Sequence, residues 1–160
     1  ELNSNSRRKI TEIIDDIRKI SHQLAPKNGS LLSFKERITN LIEESFLESN
    51  VICDFQFLGN QNFLNEKEEL NVYRILQELL HNIIKHAKAS SVEIQFASFD
   101  NEITITIEDN GVGFEVEKRK MGIGLENIQK RVDFLKGKIE ISSVIDKGTF
   151  IVIVLSDDEK

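Results

Sequence analysis

The sequence predicts an α/β fold, a two-layer sandwich of a mixed, mainly antiparallel sheet and about three helices. Three observations predict it. Period-two segments come in adjacent pairs: "SVEIQFASF" (91–99) with "EITITIED" (102–109), and "KIEISSVI" (138–145) with "TFIVIVL" (149–155). Segments of helical period lie between the strand runs. The order along the chain is a helix, then α-β-α-β-β-α-β-β.

The first helix carries Ile10, Ile13, Ile17, Ile20 and Leu24, stepping by three and four as the a and d positions of a heptad. Pro26 and Gly29 end it. So narrow a seam cannot bury itself, so the helix is expected to pair in a bundle or dimer, or else to pack on its own domain. Phe34, Ile38, Leu41, Ile42, Ser45 and Phe46 give a helical period through 31–49. "VICDFQFL" (51–58) alternates Val51, Cys53, Phe55 and Phe57 as a strand. A long helix is predicted over 66–87. Asp100-Asn101 makes a tight hairpin between the first strand pair. A helix at 123–136 is closed by Gly137, and Asp146–Gly148 turn the last hairpin.

The 160 residues suffice for one well-packed domain and a short extra segment. A formal charge of −6 argues against a nucleic-acid partner. Cys53 is the single cysteine, which excludes an internal disulfide and suits a reducing compartment. No apolar run approaches the roughly 20 residues that span a bilayer. Because it begins at Glu1 rather than Met, the chain is expected to be a piece of a larger protein, with any membrane anchor upstream.

The stretch "QELLHNIIKHAKAS" (77–90) holds the densest polar chemistry. At about 100° per residue, with Glu78 at zero, Asn82 falls near 40° and Lys85 near 340°. Val72, Leu76, Leu79, Leu80, Ile83 and Ala87 fall on the opposite side. An acid, an amide and a cation thus share one stripe, which is either a solvated face or a site. His81 and His86 lie about 140° apart on such a helix and cannot chelate one metal together. Both are expected at the surface or in structural roles, with His86 half-buried and hydrogen-bonded.

Two glycine-bearing segments follow. "EDNGVGF" (108–114) reads either as a hairpin turn at Asn110-Gly111 or as backbone passing close to a ligand, with Asp109 aimed at it from a strand end. "MGIGLENIQKR" (121–131) places Gly122 and Gly124 at a helix start, where free N–H groups favour a phosphate. It fits neither a dinucleotide-binding fingerprint nor a P-loop. Lys118, Arg119 and Lys120 between the two segments form a short basic loop, either a lid or a solvated run.

Together and in this order, the segments resemble the GHKL (Bergerat-fold) ATP-binding domain of two-component sensor histidine kinases. "YRILQELLHNIIKHAKAS" resembles the N box, "EDNGVGF" the G1 box, "MGIGLENIQKRV" the G2 box and "DKGTFIVIVL" the final Gly-Thr hairpin. The resemblance covers about residues 30–155. The short loop and the "KHA" form resemble the nitrate-sensor and thermosensor type. "RKISHQLAP" (18–26) is similar to the end of the second dimerisation helix there.

The resemblance implies a dimerisation-type helical segment at 1–27 and an ATP-binding catalytic domain at 28–160. It implies ATP and Mg²⁺ as cofactors. Asn82 would offer oxygen to Mg²⁺, Glu78 would orient a water or act as a base, and Lys85 would neutralise phosphate charge. Asp109 would accept from the adenine 6-amino group, and Thr149 would supply the adenine-side hydroxyl, through water. Gly111 and Gly113 would admit the base, and Gly122, Gly124 and Leu125 the phosphates. The activity implied is transfer of the ATP γ-phosphate to a histidine outside this chain, then to the aspartate of a response-regulator receiver domain. The family's phosphoacceptor lies on a preceding helix, so His22, followed by Gln23 and outward in the heptad, is not assigned that role. Homodimerisation through the helical region, a cytoplasmic location and membrane attachment only through upstream segments are also implied. Other classes that fit are a GHKL serine kinase or ATPase of the anti-sigma type, and a non-catalytic nucleotide-sensing module.

Overall fold

A computed structural model describes residues 32–59, 64–99, 101–116 and 123–156. The chain divides into two compact units, residues 1–33 and 34–160. The Ile10–Leu24 seam, His22, Gly122 and the Lys118–Lys120 loop lie outside the described residues, and the fold below is that of the second unit.

Helix α1 (Phe34–Phe46) buries Phe34, Ile38, Leu41, Ile42 and Phe46, the spacing read from the sequence. Ser45 completes that stripe by donating its hydroxyl to the Leu41 carbonyl at 2.7 Å. Strand β1 (Ile52–Gly59) turns Cys53, Phe55 and Phe57 toward the core. Burial, and secondarily the Asp54 charge, push the Cys53 thiol up to about 11, so it stays protonated at neutral pH. Helix α2 (Glu66–Asn82) starts at a capping box. Asn65 Oδ1 accepts from the Lys67 and Glu68 N–H groups at 3.0 and 3.2 Å, and the Glu68 carboxylate accepts from the Asn65 N–H at 2.8 Å. A π turn (Ile83–Ala87) continues it in place of the α-helix expected there. Strands β2 (Ser91–Phe99) and β3 (Glu102–Asp109), helix α3 (Ile123–Phe134), and strands β4 (Lys138–Val144) and β5 (Gly148–Ser156) complete the unit.

The five strands lie in the order β1-β2-β3-β5-β4. Among the described residues, only the β1–β2 pair is parallel. The sheet is therefore mixed and mostly antiparallel, as the sequence predicts. Alternation sends Val92, Ile94 and Phe96, then Ile103, Ile105 and Ile107, then Ile151, Ile153 and Leu155 to one face, where the buried residues of the three helices meet them. Phe96 is the hub of this core. It stacks on Phe57 with centroids 4.6 Å apart and meets Phe34 edge-on at 5.9 Å. An Arg37–Glu69 ion pair ties α1 to α2.

Register sets up the site. Asp109, the last residue of β3, pairs with Thr149 on β5, and Thr149 pairs with Ser143 on β4. The three stand side by side across neighbouring strands.

Candidate functional site

The end of α2, the π turn, the start of α3 and the β3, β4 and β5 strand ends enclose a cavity of about 320 Å³. Its size suits a small organic ligand. Glu78 and Asn82 line it from α2, Asp109 from β3, Gly113 and Phe114 from the following loop, Gly124 and Leu125 from α3, and Thr149 from β5. Leu79, Ile83, Ile141 and Ile151 give it an apolar wall. The lining therefore combines an apolar wall with one buried carboxylate and further polar groups.

Asp109 is only 6% exposed. Its Oδ1 accepts the Gly111 N–H at 2.8 Å, and Thr149 donates to the carboxylate through both its hydroxyl and its N–H. Burial pushes the carboxyl pKa up, and those hydrogen bonds partly hold it down. A folded-state pKa above the unfolded one, normally about 3.9, contributes stability that is fully present below the unfolded value. That stability is lost as pH rises through the folded value. Asp109→Asn is therefore expected to melt higher than the parent at pH 7 without ligand, the two curves converging toward pH 4. Thermal melts between pH 4 and 8 check this, and a gap that widens toward low pH would refute the sign.

The loop after Asp109 is fastened on two sides. The Val112 N–H donates to the Ala87 carbonyl at 2.7 Å, and the Asp146 N–H donates to the Val112 carbonyl at 2.8 Å. Asn110 does not turn a hairpin with the residues that follow. Its Oδ1 instead accepts the Ser90 and Ser91 N–H groups at 2.9 and 3.0 Å, closing the entry into β2. Gly113 has φ +56°, which a side chain adopts only with strain. Gly124 leaves room for the Glu78 carboxylate, which a Cβ there would strike.

Of the residues singled out from the sequence, Glu78, Asn82, Asp109, Gly113, Gly124, Leu125 and Thr149 meet at this cavity. Gly111 lies behind it, donating to Asp109. Lys85 is exposed and is not among the lining residues, whereas His81 and His86 are. His86 is also exposed rather than half-buried. The π turn accounts for His86 and Lys85, whereas His81 precedes it on the α-helical part of α2. An i→i+5 turn advances each residue roughly 15–20° less than an α-turn, and over four residues this brings His86 round toward Glu78 and carries Lys85 away. Ser143, Phe114, Ile141 and Ile151 are also new. The alternation of β4 and β5 puts Ile141, Ser143 and Ile151 on the inner face, but only the strand order shows that this face meets the cavity.

Residues 67–159 match the model of the histidine kinase-, DNA gyrase B- and HSP90-like ATPase family. The chain belongs to this family, the GHKL ATP-binding domains. It is homologous to many sensor histidine kinases. It is 30% identical over 151 residues to the signal transduction histidine-protein kinase/phosphatase DegS of Brevibacillus brevis, covering 92% of this chain and 38% of that protein. It is 30% identical over 161 residues to the oxygen sensor histidine kinase NreB of Staphylococcus carnosus, covering 96% of this chain and 46% of that one. The chain thus spans less than half the length of these relatives. The fold matches that of the Acinetobacter baumannii histidine kinase AdeS with a TM-score of 0.68 at 20% identity, over 96% of this chain and 81% of that one. Among the described residues no helix is long and apolar enough to cross a membrane.

Proposed function

We propose that residues 28–160 are the ATP-binding catalytic domain of a sensor histidine kinase of the short-lid type. In this proposal residues 1–27 belong to its dimerisation region. The observation that carries it is the cavity itself, where the N-box helix, the G1 loop, the start of the G2 helix and the Gly-Thr strand converge with acid, amide and hydroxyl groups in the lining. The apolar wall of Leu79, Ile83, Ile141 and Ile151 suits a purine ring. Asp109, acceptor-only when ionised, selects a 6-amino group over a 6-oxo group and so favours ATP over GTP. Thr149 holds that carboxylate in place.

Beside Gly124, Glu78 and Asn82 both offer oxygen donors. This donor set fits a hard cation that keeps several waters, such as Mg²⁺. When bound, Mg²⁺ would neutralise phosphate charge during transfer. Asn82 would hold it, and Glu78 would orient a water or accept a proton. His86, at the cavity lining, would offer its ring to phosphate oxygens, Lys85 on the same turn would add positive charge, and the α3 N-terminus would add its N–H groups. The domain's contribution is positioning and electrostatics.

The γ-phosphate acceptor is a histidine outside this chain, and the onward acceptor is a receiver-domain aspartate. Labelled ATP with the chain alone should leave no acid-labile phosphohistidine. Adding a dimerisation domain that carries the acceptor histidine should yield one. Label on His22 would overturn its exclusion, and no transfer despite ATP binding would favour a nucleotide-sensing module.

A further inference from the structure

We propose that Ser143 is a positioning residue for nucleobase recognition, holding the Thr149 hydroxyl so that its proton faces Asp109. This inference rests on the nucleotide reading of the cavity. Ser143 Oγ sits at a junction of three segments. It accepts the Phe114 N–H at 2.9 Å, lies 2.9 Å from the Gly148 carbonyl and lies 3.1 Å from Thr149 Oγ1. The loop after Asp109, the β4–β5 turn and the strand partner of Asp109 therefore share one hydroxyl.

Proton counting gives the direction. Ser143 and Thr149 carry one hydroxyl proton each. Three acceptors compete for the two protons: the Gly148 carbonyl, the neighbouring hydroxyl and the Asp109 carboxylate. A bond to an ionised carboxylate is the strongest of these, so the Thr149 proton goes to Asp109. The Ser143 proton is then shared between Thr149 Oγ1 and the Gly148 carbonyl. The chain runs from the Phe114 N–H to Ser143 and on through Thr149 to Asp109, with a branch from the Ser143 hydroxyl to the Gly148 carbonyl. Without Ser143, the Thr149 hydroxyl keeps Asp109 but loses the hydroxyl on its other side, so its direction toward Asp109 is less tightly set. The Phe114 N–H, at the cavity lining, loses its acceptor at the same stroke.

The test compares Mg-ATP with the Mg complex of purine riboside triphosphate, which lacks the 6-amino group and cannot donate to Asp109. Equilibrium dissociation constants are measured for the parent chain, Ser143→Ala and Ser143→Thr. The parent should prefer ATP. In Ser143→Ala, ATP affinity should fall about five- to tenfold while affinity for the analogue holds, so the preference shrinks. Ser143→Thr, which keeps the hydroxyl, should restore it. Equal weakening of both nucleotides in Ser143→Ala would mean a merely structural role and overturn the proposal, as would an unchanged ratio. If the parent binds neither nucleotide, the ATP-binding reading falls and the proposal falls with it. If the parent prefers ATP and the ratio ignores Ser143, only the proposal falls.

Discussion

Asn82→Ala is expected to abolish the thermal stabilisation that Mg-ATP confers. A ligand at about 100 times its Kd stabilises the folded state by roughly 2.7 kcal/mol, a melting shift of about 5–10 °C for a domain of this size. In the proposed site that free energy depends on the metal, because Mg²⁺ offsets the phosphate charge that the Glu78 carboxylate would otherwise repel. Asn82 is half-buried at the end of α2, where its amide reaches the cavity and makes no cap hydrogen bond to the π turn. Alanine is a better helix former than asparagine, so the ligand-free melting temperature should be little changed or slightly higher. Scanning with and without Mg-ATP separates the two effects. A shift that survives intact in Asn82→Ala would remove this helix from the phosphate end of the site.

The second large effect is on folding. Gly148→Ala should cost about 3–5 kcal/mol, because two mechanisms add. Gly148 has φ +92°, outside the region that alanine occupies without strain. An added Cβ would also collide with the Asp109 carbonyl and approach the Asn110 Cα at 3.0 Å, and both are backbone, so neither can swing aside. Relief requires β3 and β5 to part at the rung that holds Asp109. Denaturant midpoints read the loss. A variant within 1 kcal/mol of the parent would show that the strand ends are more compliant than their packing implies.

Much of this was legible in the sequence, for reasons of period. Period two placed the inward faces of β1, β2, β3 and β5, because each strand has one face against helices and the other in solvent. The 3.6 period placed Leu76, Leu79, Leu80 and Ile83 in the core, and left Glu78 and Asn82 on one stripe. The motifs placed Asp109, Gly124 and Thr149, three residues far apart in sequence that share a cavity wall. What escaped is what depends on pairing between distant segments. Nothing local tells β1 to run parallel to β2, or β5 to insert between β3 and β4. Asn110-Gly111 has the local chemistry of a hairpin, but β3 already has both neighbours, so its side chain was free to close the turn before β2. Ser143 is an ordinary strand serine until the register sets it beside Thr149. His86 was placed with an angle per residue that holds for an α-helix and fails inside a π turn.

That π turn gives chain length the effect of a substitution. Removing one residue between Ile83 and Ala87 would let the helix continue in α phase, and a different side chain would then look into the cavity although none had been replaced. Related chains that differ by one residue at this spot would present different side chains to the same pocket while their letters align almost perfectly. At this position the spacing of the sequence, as much as its composition, specifies the chemistry of the wall.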